Sequence, residues 1–223
     1  MKRILAITLI VCCLFLTACN RDIGIIGGAD GPTSIIVTKR SYDIDRFFRN
    51  NYVDERKMPV LDIDIENPFV SDDRTLVLDD SIENALELMI YEYYKSLMSG
   101  SFAEAKDMII DGSLLEATKA HENNFNDGIY YSKIVIDEID LVDKDDLDEI
   151  PGKNQQNIVE LLNDNKMDKF AIVEVEKTIK HNEKALSLVP QVGDGEVERY
   201  FLLGEKDGEY KIIEVYWEGF MDA

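Results

Sequence analysis

The feature that most constrains the fold is a change of hydrophobic period at Gly128. Upstream of it the apolar residues recur at three- and four-residue spacing, the mark of amphipathic helices. A first helix is expected to start near 80, where Asp80 with Glu83 or Ser81 with Asn84 has capping-box spacing, and to reach Leu97. It would place Ala85, Leu86, Met89, Ile90, Tyr93 and Leu97 on one face, and Gly100 ends it. Ser101 with Glu104 predicts a second helix carrying Phe102, Ala105, Met108 and Ile109, stopped by Asp111-Gly112. Ser113 with Glu116 predicts a third, shorter one. Downstream of Gly128 the pattern alternates, giving strands over 129–142, 170–180, 197–205 and 209–217. Asp207-Gly208 is a two-residue hairpin signal between the last two strands, and a short helix over 155–162 falls between the first two. Helices followed by antiparallel strands make an α+β domain over 80–223, its N-terminal helices packed on a curved sheet. Residues 38–79 are mixed and charged, with Phe47, Phe48, Tyr52 and Phe69 irregularly spaced, and read as a tether with some docked pieces.

The N-terminus sets the expected address. Lys2 and Arg3 precede an apolar run over 4–16, and polar Asn20, Arg21 and Asp22 follow too soon for a span of about 20 residues. Leu16-Thr17-Ala18-Cys19 resembles the lipobox of bacterial lipoproteins. That resemblance implies that residues 1–18 are a signal peptide, that Cys19 carries a diacylglycerol, and that the domain is anchored on the outer, extracytoplasmic face of the membrane. Cys12, Cys13 and Cys19 are the chain's three cysteines, so the mature domain must fold on its hydrophobic core without a disulfide. A formal charge of −21 argues against nucleic acid as a partner, because a polyanion would be repelled.

The order of helices and strands over 81–220, with Tyr130-Tyr131 at a strand start and Tyr200-Phe201-Leu202-Leu203 followed by Tyr210-Lys211-Ile212-Ile213, resembles the nuclear-transport-factor-2-like superfamily. The resemblance implies a cone in which helices fill a bent antiparallel sheet, and a cystatin-like helix-on-sheet fold is the nearest alternative. Within such a cone Tyr130, Tyr200, Tyr216 and Trp217 would line a pocket. Enzymes of the superfamily use an Asp, His or Tyr inside the cone. His121, Tyr130, Asp137, Glu174, Tyr200 and Tyr216 stand at candidate positions here, but no known catalytic set is matched. No catalytic residue, cofactor or metal is therefore expected. The histidines His121 and His181 stand alone, and the acidic run 143–149 departs from the EF-hand pattern at Asp148, where glycine is required.

One short segment has a sharper likeness. Gly27-Gly28-Ala29-Asp30-Gly31-Pro32-Thr33, within 23–38, resembles a re-entrant stretch of the β subunit of sodium-pumping oxaloacetate and related decarboxylases. There the aspartate takes part in sodium binding, a role that would fall on Asp30 here. The family's membrane helices are absent, so transport by this chain alone is not expected. Gly27, Gly28, Asp30, Gly31, Pro32 and Thr33 are instead candidates for contact with a cation or a membrane-protein partner, or for a simple glycine-rich turn. The expected function is a non-catalytic ligand-binding or interaction module. The alternative is an accessory of a sodium-ion-translocating decarboxylase or other membrane complex, docking through residues 23–37.

Overall fold

The computed structural model describes residues 39–221 except 55, 56, 189, 191 and 218, with side chains described from residue 44. Cys19 and the segment 23–38, including Gly27, Gly28, Asp30, Gly31, Pro32 and Thr33, lie outside the described residues. A compact unit spans Arg40–Ala223. In chain order it contains α1 (Lys39–Asn51), β1 (Phe69–Ser71), β2 (Arg74–Leu78), α2 (Ala85–Ser99), α3 (Phe102–Asp107), α4 (Ser113–Asn126) and β3 (Tyr131–Leu141). These are followed by α5 (Gly152–Asp164), β4 (Lys169–His181), α6 (Glu183–Ser187), β5 (Gly195–Lys206) and β6 (Glu209–Trp217).

The α+β class is as expected. The six strands form one open sheet in the order β1-β2-β3-β4-β5-β6. Every neighbouring pair is antiparallel except β2 and β3, which run parallel through Leu76↔Ile134 and Leu78↔Ile136. The sheet is thus mixed, because α2, α3 and α4 form the crossover that parallel neighbours require.

The described residues within 38–79 include docked pieces of the fold. They supply α1 and the first two strands of the sheet, so the folded unit begins about forty residues before the expected boundary at 80, a length read from its limit at Arg40. The sequence hides this because the strands here are three and five residues long, too short for alternation to register. Phe48 and Tyr52, irregular in sequence, meet the buried Phe170 edge-on at centroid distances of 5.1 and 5.0 Å. The Tyr52 hydroxyl also donates to the carbonyl of Val142 at 2.6 Å.

Local rules place most of the remaining elements. Asp207 and Gly208 take φ of 56° and 84°, the pair of left-handed residues that a type I′ hairpin needs. In β3 the buried residues run Ile134, Ile136, Ile139, Leu141, and the three-residue step between Ile136 and Ile139 marks a bulge that keeps both halves facing the core. The helix caps differ from expectation. The capping box of α2 is Asn84 with Glu87, whereas the Asp80 carboxylate accepts from Ser81 N and Ile139 N and so serves the link to β3. Ser101 makes no side-chain cap, and Ser113 donates instead to Glu214 at 2.6 Å. With the start of α2 shifted, Ala85 is exposed, while Tyr91, Tyr94 and Met98 join Leu86, Ile90 and Tyr93 inside.

Glu87 is buried, and its carboxylate accepts from Glu83 N at 2.6 Å, Asn84 N at 3.3 Å and, across to the sheet, Leu141 N at 3.2 Å. Burial pushes its carboxyl up, and these backbone donors pull it back down. We expect Asn84→Ala to cost about 1–2 kcal/mol, as lost caps do. Glu87→Ala should cost about 3 kcal/mol or more, since it leaves three backbone donors without their acceptor. Urea denaturation of the two variants checks the order, and equal costs would remove Glu87 as a link between helix and sheet.

Candidate functional site

The four aromatic residues expected to line one pocket are not brought together. On β4, alternate side chains divide between two sides of the sheet. Val173, Val175, Lys177 and Ile179 share the side covered by α2, where Tyr93 and Tyr94 meet Phe201 edge-on at 6.0 and 5.7 Å. Phe170, Ile172, Glu174 and Glu176 share the reverse side. Tyr200 pairs with Glu174 and with Tyr216, so both tyrosines belong to the reverse side. There the Tyr200 hydroxyl donates to Glu174 at 2.7 Å, and Tyr216 stacks on Phe220 at 4.1 Å. Trp217 pairs with Arg199 and lies on the helix-covered side, 61% exposed. Tyr130 stands before β3 and donates to Asp73 at 2.6 Å. Its neighbour Tyr131 pairs with His181, seven residues along β4 from Glu174 or about 23 Å at strand rise. Strand alternation puts Tyr216 and Trp217 on opposite sides, and Tyr130 stands at another part of the sheet, so the grouping that the cone resemblance implied is not assembled.

A different set gathers under the helices. Lys177 occupies an inward position between Val175 and Ile179, is 7% exposed, and donates to the Tyr94 hydroxyl at 2.7 Å. Among the described residues no carboxylate comes within ion-pair distance of it, and Tyr94 is itself buried and held neutral, its hydroxyl pushed far up by burial. Arg199, on the same side, is the diagonal cross-strand neighbour of Lys177, given the pairs Val175↔Arg199 and Lys177↔Val197. The Arg199 guanidinium lies 3.6 Å from the Trp217 ring centroid. Tyr131 stands between His121 and His181, at centroid distances of 5.7 and 4.8 Å, and His181 Nδ1 meets Asp194 at 2.9 Å. Burial pushes the His121 imidazole down, with His181 adding to it. The end of the helix-covered side therefore runs from an exposed aromatic ring, through a half-buried guanidinium, to a buried amine.

Lys177 was legible in principle. A lysine in phase with Val173, Val175 and Ile179 breaks an otherwise apolar stripe, and Arg199 does the same between Val197 and Phe201. The aromatic residues drew attention instead, although a tyrosine on a strand is ordinary and an inward lysine is not.

The reverse side carries the opposite charge. Glu138, Glu176 and Glu198 stand directly opposite one another across three strands, with Asp140 facing Glu174 in the next row. A hydrogen bond to Asp140 is the largest cause of the raised Glu138 carboxyl, and burial is the largest for Glu174. The run 143–149 forms a 3-10 turn over Asp146–Glu149 around buried Leu147, its acids pointing to solvent. Among the described residues no three His, Cys, Asp or Glu side chains form a metal-holding group. A cleft of about 450 Å³ lies beside this turn, but its lining mixes Arg49 and Lys144 with Asp145 and Asp148 and so favours neither sign of ligand. Comparison with known protein families, curated proteins and solved structures finds no match.

Two expectations follow from these charges. Burial, reinforced by Arg199, pushes the Lys177 amine down to about 7. From there up to the unfolded value of about 10.4, the unfolded chain holds a proton that the folded chain has released, so stability rises with pH. Urea unfolding at pH 7, 8 and 9 should show a gain, bounded at about 1.4 kcal/mol per pH unit, that Lys177→Met abolishes. On the reverse side the sign is opposite. Carboxyls raised in the folded state stabilise it when protonated, and that contribution is lost as pH rises through their folded values. Glu176→Gln should raise the thermal midpoint at pH 7 by up to the equivalent of about 1 kcal/mol, with the gain shrinking in acid. An unchanged midpoint would show that the row is fully screened.

Proposed function

We propose that this protein is a lipid-anchored extracytoplasmic binding module, non-catalytic, whose contact site is the rim formed by Trp217 and Arg199. The observation that carries the reading is the exposure of Trp217, 61% accessible yet stacked on Arg199 at 3.6 Å. A large ring fixed in place beside a cation costs little entropy on contact, which is why aromatic and arginine side chains dominate recognition surfaces. The anchor rests on Leu16-Thr17-Ala18-Cys19. No helix among the described residues is long and apolar enough to cross a membrane. A second reading, accessory to a sodium-ion-translocating decarboxylase or another membrane complex, rests on Gly27-Gly28-Ala29-Asp30-Gly31-Pro32-Thr33.

Affinity purification from detergent-solubilised membranes separates the two. Intact protein, Trp217→Ala and Asp30→Ala are compared, with co-purifying proteins identified by mass spectrometry. We expect Trp217→Ala to lose partners that Asp30→Ala keeps. The reverse pattern would move contact to the glycine-rich segment and favour the accessory reading. Labelled fatty acid should enter the intact chain and not Cys19→Ala, and incorporation in both would remove Cys19 as the anchor.

A further inference from the structure

Resting on the lipid anchor at Cys19, we propose that the turn carrying Leu186 and Leu188 is a second, weaker membrane contact, which seats this end of the domain on the lipid headgroups and turns the acidic end away. Leu186 is 45% and Leu188 60% exposed. The turn that presents them is braced. The Asn182 side chain caps α6 by accepting from Ala185 N at 2.9 Å, and it donates to the Gly128 carbonyl at 2.9 Å. Asn182 N donates to the Tyr130 carbonyl, Ala185 is buried beneath the turn, and Leu188 N returns to the Ala185 carbonyl at 3.0 Å. Two leucines held outward on such a turn gain by leaving water and have little backbone freedom left to lose.

Charge decides which apolar tip of the domain faces a membrane. Val60, 85% exposed, and Ile63 form a second bare tip at the opposite end of the sheet. There Leu61 N donates to the Glu83 carbonyl, beside the start of α2, which Glu87 ties to Leu141 at the end of β3. The α6 turn adjoins the start of β3 instead, where Tyr131 pairs with His181. The 11 residues of β3 separate the two ends by about 35 Å at strand rise. Exposed Asp62, Asp64 and Glu66 surround Val60 and Ile63, and the acidic run 143–149 follows Leu141 at the same end. Around α6, Lys133 pairs with Lys180 across the strands, and exposed Lys184 joins them. These lysines face Asp127, Glu183 and Asp194, and the Asp194 carboxylate is taken up by His181 N at 2.8 Å and Nδ1 at 2.9 Å. The α6 end is thus close to neutral in a chain of −21, and an anionic surface favours the orientation that keeps the acids farthest from it.

The size of the tip fits a bilayer. A stable protein partner needs about 800 Å² on each side, far more than two leucines offer. A domain already held at the surface by its anchor needs much less, because tethering raises the effective concentration and a single lipid signal gains most from a second weak one. The chain from Cys19 to Lys39 spans at most about 70 Å, so the anchor can reach whichever end of the domain faces the membrane.

The test uses the full chain, purified from membranes and reconstituted in vesicles of equal parts phosphatidylcholine and phosphatidylglycerol, with or without bromine near the headgroup end of the acyl chains. Trp217 is the sole tryptophan, so Trp217→Phe gives a dark background in which Leu188→Trp reports from the α6 turn and Val60→Trp from the opposite end. Both positions are exposed, so neither reporter disturbs the core. We expect brominated lipid to quench the reporter at 188 at least twofold more than the one at 60. Lys180→Glu with Lys184→Glu should reduce quenching at 188. Equal quenching at the two sites, as a freely tumbling domain would give, would overturn the proposal. So would stronger quenching at 60, quenching at neither site, which leaves the leucines to a protein partner, or quenching at 188 untouched by the charge reversal. Fatty-acid labelling of the same preparations separates this contact from the anchor. If fatty acid is incorporated and 188 is not quenched, the anchor stands and the second contact falls. If none is incorporated, yet 188 is quenched and 60 is not, the contact stands and the anchor reading falls.

Discussion

The buried Glu87 carboxylate joins the two halves of this fold. It completes the capping box of α2 by accepting from the backbone of Glu83 and Asn84, and it accepts from Leu141 at the end of β3. A carboxylate out of water is costly unless its lone pairs are filled, and here backbone donors from a helix start and a strand end fill them. Because those donors come from segments more than fifty residues apart, as the Glu87 to Leu141 bond spans, the charge can be buried only when helix and sheet are in register. The Asp80 carboxylate on Ile139 N repeats the arrangement one strand residue pair away. Together they fix where α2 crosses the sheet, and hence which residues of β4 and β5 lie beneath Tyr93 and Tyr94.

That crossing divides the sheet electrically. The helix-covered side is apolar along most of its length and ends in Lys177 and Arg199, while the reverse side carries rows of opposed carboxylates. Neither arrangement serves stability, since both set like charges near one another. The interior of the reverse side is secured by Phe48 and Tyr52 against Phe170, and within the acidic rows Glu174 accepts from the buried Tyr200 hydroxyl. A small module without disulfides in its described residues has to draw its stability from the hydrophobic cluster that runs from Phe48 to Phe220.

Much of the architecture was legible in the chain. The helix-to-strand switch at Gly128, the Asp207-Gly208 hairpin and the end of α2 at Gly100 are local signals, and local rules were sufficient for them. Failures came where a residue's local preference was overruled. Asp80 and Ser113 have capping chemistry but spend it on β3 and β6, because partners distant in sequence arrive in reach. The sequence also pointed to tyrosines and a tryptophan as one pocket, although strand alternation puts Tyr200 and Tyr216 on one side and Trp217 on the other.

By itself the sequence determined the α+β class and the places of β3 to β6 in the chain, because period and turn chemistry are properties of neighbouring residues. Only the tertiary structure decided that 69–78 complete the sheet, that β2 runs parallel to β3, and that Lys177 lies beside Arg199 with a tyrosine hydroxyl as its partner. Those outcomes depend on register between distant strands and on which helix covers which face. Buried polar contacts such as those of Glu87 with Leu141 and Asp80 with Ile139 help to set that register, and they leave no mark in the local pattern until the chain has folded.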